Sequence, residues 1–298
     1  MTAPSRVLAP RSTVRFRPPH FGLGGAPLGR LPADVEGERA ATNTVAAAYR
    51  AGLRFFDTAP WFGDGRAEAR LGTALAGSPR AEFLVSTKVG GDLTADEVRR
   101  SLDASLGRLG TSFVDLVLVA EPGERALVEI CPVLQELRSQ GVIGAIGAES
   151  KDWRRLETFA RDTEPDAVQL DGGYSLLDRT AAPLLDLCAE RGISAIVAGA
   201  LSSGALSSGG PVISGSGTAA PSVLEEIRAR RIAAAGEPYG VSLPQLAVAF
   251  PSRHPAVTSV LVEAGSPAEI RADAALVRRP IPAQLWDDPD LTALLTGP

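Results

Sequence analysis

Residues 53–63 read LRFFDTAPWFG, and this stretch decides the fold. A short apolar run ends in the carboxylate of Asp57 and passes at once into a turn, which is typical of a buried strand in a parallel sheet. Asp57 would then lie at the carboxyl end of its strand, where α/β proteins place their functional groups. The stretch therefore predicts an α/β protein with Asp57 at its site.

The same alternation of apolar runs and amphipathic segments continues along the 298-residue chain. Eight strand candidates are separated by helix candidates, and this order implies parallel strands with right-handed crossovers. Eight strands in a chain of this length favour a closed (β/α)8 TIM barrel over an open sheet. We expect residues 20–298 to form one barrel domain, preceded by a poorly structured Pro- and Arg-rich segment over residues 1–19.

Several element boundaries are also predicted from local signals. Residues 30–39 are expected to form a loop, followed by a helix over 40–51 that ends at Gly52, a natural helix C-cap. A strand is expected over 142–147, and residues 202–220 are expected to form a long Gly- and Ser-rich loop.

Composition excludes several classes of protein. The net charge of −5 is mild, with both signs interspersed, so neither a nucleic-acid nor a membrane partner is expected. Two cysteines, Cys131 and Cys188, suggest neither a disulfide framework nor a metal site. The beginning of the chain lacks a signal-peptide core, and no apolar run is long enough to span a bilayer. We expect a cytoplasmic protein with a small-molecule substrate and leave its oligomeric state open.

Several segments together carry a family resemblance. GLRFFDTAPWFG, STKVGG, VDLVLV, LR-QGVIGAIG, SLLDR and IPAQLW occur in this order over about residues 21–291. In order and spacing they resemble the aldo-keto reductases, and within them the D-threo-aldose 1-dehydrogenase branch. The resemblance implies a TIM barrel with Asp, Tyr, Lys and His converging at its mouth.

Only two of these four residues match. Asp57 and Lys88 are present, whereas Phe62 stands at the tyrosine position and Ala120 at the histidine position. In the family the tyrosine is the general acid, with a pKa tuned by the lysine. A phenyl ring has no proton to give and an alanine methyl cannot hold an oxyanion. The sequence therefore predicts that ordinary carbonyl reduction by this route is lost.

The positions that the resemblance assigns to a dinucleotide have changed as well. Lys151 most nearly aligns with an asparagine that holds the nicotinamide carboxamide, while Gln169 still matches the second carboxamide ligand. Glu263, Gly265 and Asp273 stand at a glycine, an arginine and an asparagine that hold the adenosine phosphates. Because an arginine is the natural partner of a phosphate, we expect no cofactor and keep NAD(P) as the alternative. The helix start at Ser266 could still bind another anionic group.

These observations lead to one hypothesis about function. Lys88, tuned by Asp57, would transfer protons, with Glu121 as a second acid or base. The reaction would be a redox-neutral dehydration, isomerisation or cyclisation of a small carbonyl-containing metabolite, plausible in bacterial secondary metabolism. The substrate pocket would be lined by Trp61, Phe62, Ala120, Trp153 and Tyr174.

Two other functions stay open: an NAD(P)-dependent aldo-keto reductase with an altered proton donor, and a non-catalytic binding or regulatory protein. Asp57 and Lys88 could equally be a structural ion pair. Glu149 is expected at the surface or the cavity edge rather than in catalysis. His20 and His254 are expected to be ordinary surface histidines, so no metal site is predicted.

Overall fold

The computed structural model of the protein describes residues 16–201, 206 and 221–296. Its strands are all parallel and close into one barrel in the order β1 to β8, which confirms the predicted TIM barrel. The strands are β1 Phe21–Gly24, β2 Phe55–Asp57, β3 Leu84–Gly90, β4 Val114–Ala120, β5 Ile143–Ser150, β6 Ala167–Asp171, β7 Ser194–Ala198 and β8 Val257–Glu263.

Helices surround the barrel. In the described residues they are α1 Ala26–Arg30, α2 Val35–Arg50, α3 Arg66–Leu75, α4 Ala95–Leu109, α5 Cys131–Ser139, α6 Trp153–Asp162, α7 Ala182–Arg191, α8 Val223–Gly236, α9 Leu243–Ala249, α10 Pro267–Arg278, α11 Ala283–Trp286 and α12 Pro289–Thr296. None of these helices is long and apolar enough to cross a membrane.

The local signals that set these elements are visible in α4. Thr94 and Glu97 form a capping box at its start, and Gly110 ends it in the left-handed conformation. Val98 and Leu102 lie on one helical face and are buried against the barrel.

Two hydrophobic layers hold the barrel together. Outward-facing strand residues pack under the helices in the main core, and inward-facing ones fill the barrel interior. The interior cluster consists of Phe16, Phe55, Leu116, Leu118, Ala145, Ala167, Ile196, Ala198 and Leu261. Strand side chains alternate between these two layers, so the next inward position towards each carboxyl end faces the barrel mouth.

The amino-terminal segment contributes one residue to this interior. Phe16 is buried, and its ring meets Phe55 edge-on, with 6.4 Å between ring centroids. The backbone carbonyl of Phe16 accepts a hydrogen bond from Ser194. The rest of the expected unstructured segment, residues 1–15, lies outside the described residues, as does most of the expected loop over 202–220.

Two predicted boundaries are wrong. Residues 30–39 are not a loop throughout, because α2 already begins at Val35, where Asp34 caps the helix by accepting from the Gly37 N–H at 2.8 Å. The predicted strand over 142–147 extends to Ser150. The longer strand pairs with β4 up to Ala120 opposite Glu149, and it brings Glu149 to the barrel mouth.

Candidate active site

The carboxyl ends of four strands bring polar side chains together at the barrel mouth. Asp57 ends β2, Lys88 lies on β3, Glu149 on β5 and Gln169 on β6. Side chains two positions apart on a strand point to the same face. Phe55 lies in the interior cluster, so Asp57 also points inwards, and the other three residues follow the same pattern on their strands. The strand pattern therefore produces the cluster.

Asp57 and Lys88 form a buried ion pair. The Lys88 ammonium donates to both carboxylate oxygens of Asp57 at 2.7 Å, and the two side chains are 1% and 4% exposed. Asp57 also accepts from the Ser86 hydroxyl at 2.6 Å and from the Gln169 amide nitrogen at 3.2 Å. With four donors around it, Asp57 is held in one orientation and in turn fixes Lys88.

Glu149 is a third member of this cluster; it lies at the cavity edge, and its contact with Lys88 is not predicted from the sequence. Its carboxylate lies 3.1 Å from the Lys88 ammonium nitrogen, with 18% of the side chain exposed. The Lys88 ammonium has three N–H donors, and three carboxylate oxygens of Asp57 and Glu149 surround it. Glu149 therefore occupies the face of Lys88 that Asp57 leaves open.

The charges in the cluster shift the pKa values of two members. Burial acts to lower the pKa of Lys88, but Asp57 and Glu149 outweigh it and hold that pKa above its ordinary value. Burial raises the pKa of Glu149, an effect that the Lys88 charge only partly offsets and that Asp57 adds to. Lys88 is therefore an ammonium at neutral pH. Of the two groups, Glu149 is the one that more easily loses and regains a proton.

These side chains line an open cavity of about 410 Å³. Its wall combines charged, aromatic and glycine residues: Gly24, Gly25, Ala26, Arg30, Asp57, Trp61, Phe62, Gly63, Lys88, Glu149, Lys151, Gln169, Asp171, Ala198, Leu261 and Glu263. Trp61 is 45% exposed at the rim. The volume suits a small polar molecule that carries some apolar surface.

Phe62 covers Lys88 from the side of the cavity. The Lys88 nitrogen lies 5.8 Å from the centroid of the Phe62 ring, within the range of a cation–π contact. The ring adds an attractive surface for the ammonium but supplies neither a donor nor an acceptor. Phe62 and Trp61 thus line this cavity.

Three other residues expected in the pocket do not line this cavity. Trp153 begins α6, packs partly against the main core and stacks with the Arg154 guanidinium at 4.4 Å. Tyr174 is buried against Phe250, with ring centroids 5.4 Å apart. Ala120 is buried where β4 pairs with β5. The two aromatic rings therefore belong to the helical layer, although they follow strand ends.

Glu121 also lies outside the cavity wall, so the structure does not support its expected part in proton transfer there. The residue is exposed and has a φ of +48°. Its carboxylate accepts from the Ser150 hydroxyl at 2.6 Å and from the Lys151 N–H at 3.2 Å. These contacts bind it to the end of β5.

Gln169 and Lys151 are the residues that the resemblance places beside a nicotinamide carboxamide, and they fit such a ligand in part. Gln169 is 3% exposed, and no donor among the described residues reaches its side-chain oxygen. A buried acceptor that faces a cavity calls for a ligand N–H or O–H. Lys151 is 61% exposed at the rim and lies 3.8 Å from Asp171.

The adenosine end does not fit the 2′-phosphate of NADP. Gly265 has no side chain there, and its N–H donates to the Glu269 carboxylate at 2.8 Å. At the start of α10, where another anionic group was expected to bind, the Glu269 N–H donates to the Ser266 hydroxyl at 3.2 Å. Burial and the neighbouring Glu269 raise the pKa of Asp273 to about 7. Carboxylates therefore stand where a phosphate would need cations.

A metal centre finds no support over residues 16–201, 206 and 221–296, where no three His, Cys, Asp or Glu side chains form a group suited to a metal ion. His254 instead lies 3.2 Å from Asp186, beside the Tyr174 ring.

Comparison with known proteins agrees with the fold described above. The sequence model of the aldo/keto reductase family matches residues 20–290. The chain is 32% identical to a D-threo-aldose 1-dehydrogenase of Pseudomonas sp., over 90% of this chain and 92% of the relative. It is also 32% identical to an NADH-specific methylglyoxal reductase of Escherichia coli, over 66% of this chain and 68% of the relative.

Solved structures support the same fold. An aldo/keto reductase from Klebsiella pneumoniae, determined in complex with NADP and acetate, superimposes with a TM-score of 0.74 at 23% identity. The match covers 97% of this chain and 96% of the Klebsiella chain. At this level of identity, the likeness concerns the barrel itself.

Proposed function

The chain belongs to the aldo/keto reductase family, and from that premise we propose that it is an enzyme of redox-neutral proton transfer on a small α-hydroxycarbonyl compound. Glu149 is the acid and base of the reaction, and Lys88 is the cation that stabilises the substrate oxygen. The observation that carries this proposal is the Glu149 carboxylate 3.1 Å from the buried Lys88 ammonium.

Lys88 is an electrostatic group in this proposal, not the base expected from the sequence. Its raised pKa keeps it protonated, and Asp57 holds two of its three N–H donors. A substrate carbonyl oxygen that takes the third N–H displaces the Glu149 carboxylate. The freed carboxylate then lies beside the carbon next to the carbonyl.

The reaction balances without an oxidant or a reductant. Glu149 removes the proton on the α carbon, the C–H electron pair forms a C=C bond, and the carbonyl π electrons move onto the oxygen. The Lys88 ammonium stabilises this enolate oxygen, which is the largest charge that develops. The proton of the α-hydroxyl then passes to the enolate oxygen, and the electrons of that O–H bond form the new C=O bond. The C=C electrons take up the proton that Glu149 returns to the former carbonyl carbon, so that an aldose-type compound becomes its ketose isomer or the reverse.

A second function, NAD-linked oxidoreduction of the same class of substrate, is favoured by the unpartnered Gln169 oxygen. Gln169 would hold the carboxamide of a nicotinamide, which supplies or accepts a hydride when bound. Glu149 in its neutral form would donate the proton to the substrate oxygen, in place of a tyrosine. The relative named as NADH-specific favours NAD over NADP, in line with the carboxylates around α10.

The two functions are separated by an exchange experiment. Glyceraldehyde, glycolaldehyde and dihydroxyacetone are incubated with the protein in D₂O, and loss of the α-proton signal is followed by proton NMR, with and without NAD(H). We expect exchange without any dinucleotide, and Glu149→Gln should slow it at least ~100-fold, since the general base is lost. Glu157→Gln, on the exposed face of α6, is the matched control. Exchange or turnover only with NAD(H) would favour the second function.

A further inference from the structure

We propose that Glu121 is the positioning residue of this site, which aims the Glu149 side chain at Lys88 by holding the end of β5. The proposal rests on the assignment of Glu149 as the acid and base. It gives Glu121 a role different from the catalytic one suggested by its place after β4.

Glu121 binds three consecutive residues of β5 and the turn that follows. Its backbone N–H donates to the Glu149 carbonyl at 2.8 Å. Its carboxylate accepts from the Ser150 hydroxyl at 2.6 Å and from the Lys151 N–H at 3.2 Å. The backbone from the Glu149 carbonyl to the Lys151 N–H is therefore fixed by one residue.

Ser150 carries the contact further. Its hydroxyl oxygen accepts from the Asp152 N–H at 2.9 Å, and Asp152 caps α6 by accepting from the Arg154 N–H at 3.0 Å. Ser150 is fully buried, so its hydroxyl is held by these partners alone. The start of α6 and the end of β5 are thus tied to the same carboxylate.

The backbone of Glu121 is unusual in a way that supports a specific role. A φ of +48° places it in the left-handed region, which glycine and asparagine adopt more easily than glutamate. This conformation turns the chain back so that the Glu121 carboxylate reaches β5. Gly91 packs against the turn so closely that a Cβ there would lie 2.5 Å from the Ala120 carbonyl oxygen. A glycine at 121 would adopt this backbone conformation more easily, so the glutamate carries backbone strain at this position.

The contacts of Glu121 with Glu149, Ser150 and Lys151 form a clamp, and this clamp controls the position of the Glu149 side chain. The Glu149 carboxylate lies 3.1 Å from the ammonium nitrogen of Lys88 on β3. The negative charges of Asp57 on β2 and Asp171 on β6 act on it as well and raise its pKa. If the end of β5 moves outwards, the Glu149 carboxylate leaves this buried position and becomes solvated. Its ionisation is then that of an ordinary glutamate.

The test compares Glu121→Gly, Glu121→Gln and Ser150→Ala with wild type in the full-length protein. Glutamate carboxyl carbons are labelled with ¹³C, and Glu149 is assigned by the signal that disappears in Glu149→Gln. We expect the titration midpoint of Glu149 in Glu121→Gly to fall to about the ordinary carboxyl value of 4.3. Glu121→Gln and Ser150→Ala should give smaller downward shifts, because each keeps part of the clamp. Glu124→Gly, in the same loop, should leave the midpoint unchanged.

Hydrogen exchange of the Lys151 amide tests the contact between the Lys151 N–H and the Glu121 carboxylate independently of the Glu149 titration. We expect it to accelerate at least ~10-fold in Glu121→Gly, with the melting temperature maintained because the backbone strain is relieved. An unchanged Glu149 midpoint together with an unchanged Lys151 exchange rate would overturn the proposal. If wild-type Glu149 itself titrates at the ordinary value, the proposed function fails, and the Lys151 exchange rate alone decides whether Glu121 is a clamp.

Discussion

The Glu149 carboxylate lies 3.1 Å from the Lys88 ammonium nitrogen, which also donates to both carboxylate oxygens of Asp57. In the family that this chain resembles, a tyrosine is the lysine-tuned acid, and here Phe62 offers only a ring face at 5.8 Å. A carboxyl group supplied by β5 thus stands beside the lysine, and this contact is the basis of the chemistry proposed above.

The first prediction concerns the stability of the buried pair. Lys88→Met leaves Asp57 buried without its cation, and Asp57→Asn removes two of the carboxylate acceptors of Lys88. Each change should lower the free energy of unfolding by about 3–5 kcal/mol, because Lys88→Met leaves two buried carboxylates without their cation and Asp57→Asn leaves Lys88 with Glu149 as its carboxylate partner. The double variant should lose clearly less than the sum of the two, as measured by urea unfolding.

A matched control for this cycle is available on the surface. Arg161 and Glu157 form an exposed pair at 2.7 Å with i,i+4 spacing on α6. Their coupling in the same type of cycle should be about 0.3–0.5 kcal/mol. Equal coupling in the two cycles would mean that the Asp57–Lys88 pair is not effectively buried.

The second prediction is a pH profile. Because burial raises the pKa of Glu149 and the reaction needs its carboxylate form, α-proton exchange should rise with pH and level off above that pKa. The plateau should persist through neutral pH, because Lys88 stays protonated there. Exchange rates measured from pH 4 to pH 9 give the profile. A rate that shows no plateau and is still rising at pH 9 would indicate Lys88 as the base.

The third prediction concerns dinucleotide selectivity. Gly265→Arg restores the guanidinium that the family resemblance places there. The nearest atoms to a Cβ at this position, on Glu269 and Pro27, lie at 3.8 Å, so a side chain can be accommodated. NADPH affinity, measured by calorimetry, should increase at least ~10-fold over wild type, since an arginine pairs with a phosphate. Gly265→Gln is the uncharged control and should give no such gain.

The fourth prediction concerns Asp273. Burial and Glu269 raise its pKa in the folded protein to about 7, above the ordinary value of 3.8. Its stabilising contribution is therefore complete below about pH 4 and is lost as pH rises to about 7. Asp273→Asn should remove this loss and be about 1–2 kcal/mol more stable than wild type at pH 8, allowing for screening by solvent. Urea unfolding at pH 4 and pH 8 measures the difference. Parallel stability curves for the two proteins would contradict the prediction.

The barrel and the Asp57–Lys88 pair could be predicted because each depends on local pattern. Apolar runs mark the strands, and both residues follow such a run directly, where parallel strands of a barrel end at one mouth. The start of α2 was harder to predict, because its first turn is charged and exposed, and only the Asp34 cap marks it.

The contact between Glu149 and Lys88 is not predicted from the sequence, because the predicted strand ends at Gly147. With β5 ending at Gly147, Glu149 would fall in a surface turn. Its register opposite Ala120 and Gln169 depends on pairing with strands distant in sequence. Alternation from Ala145 through Gly147 would have placed Glu149 on the inward face, had the strand been extended. Tyr174 and Trp153 show the opposite case, since an aromatic side chain after a strand can turn to either layer.

The most direct test of this account is the ionisation of Glu149 in wild type and in Lys88→Met, followed by ¹³C NMR of its carboxyl carbon. The account predicts a wild-type midpoint above the ordinary carboxyl value, because burial disfavours the charged form. It also predicts a still higher midpoint in Lys88→Met, because the stabilising cation 3.1 Å away is gone. An ordinary midpoint that does not change in Lys88→Met would contradict the claim that these two residues form the proton-transfer centre.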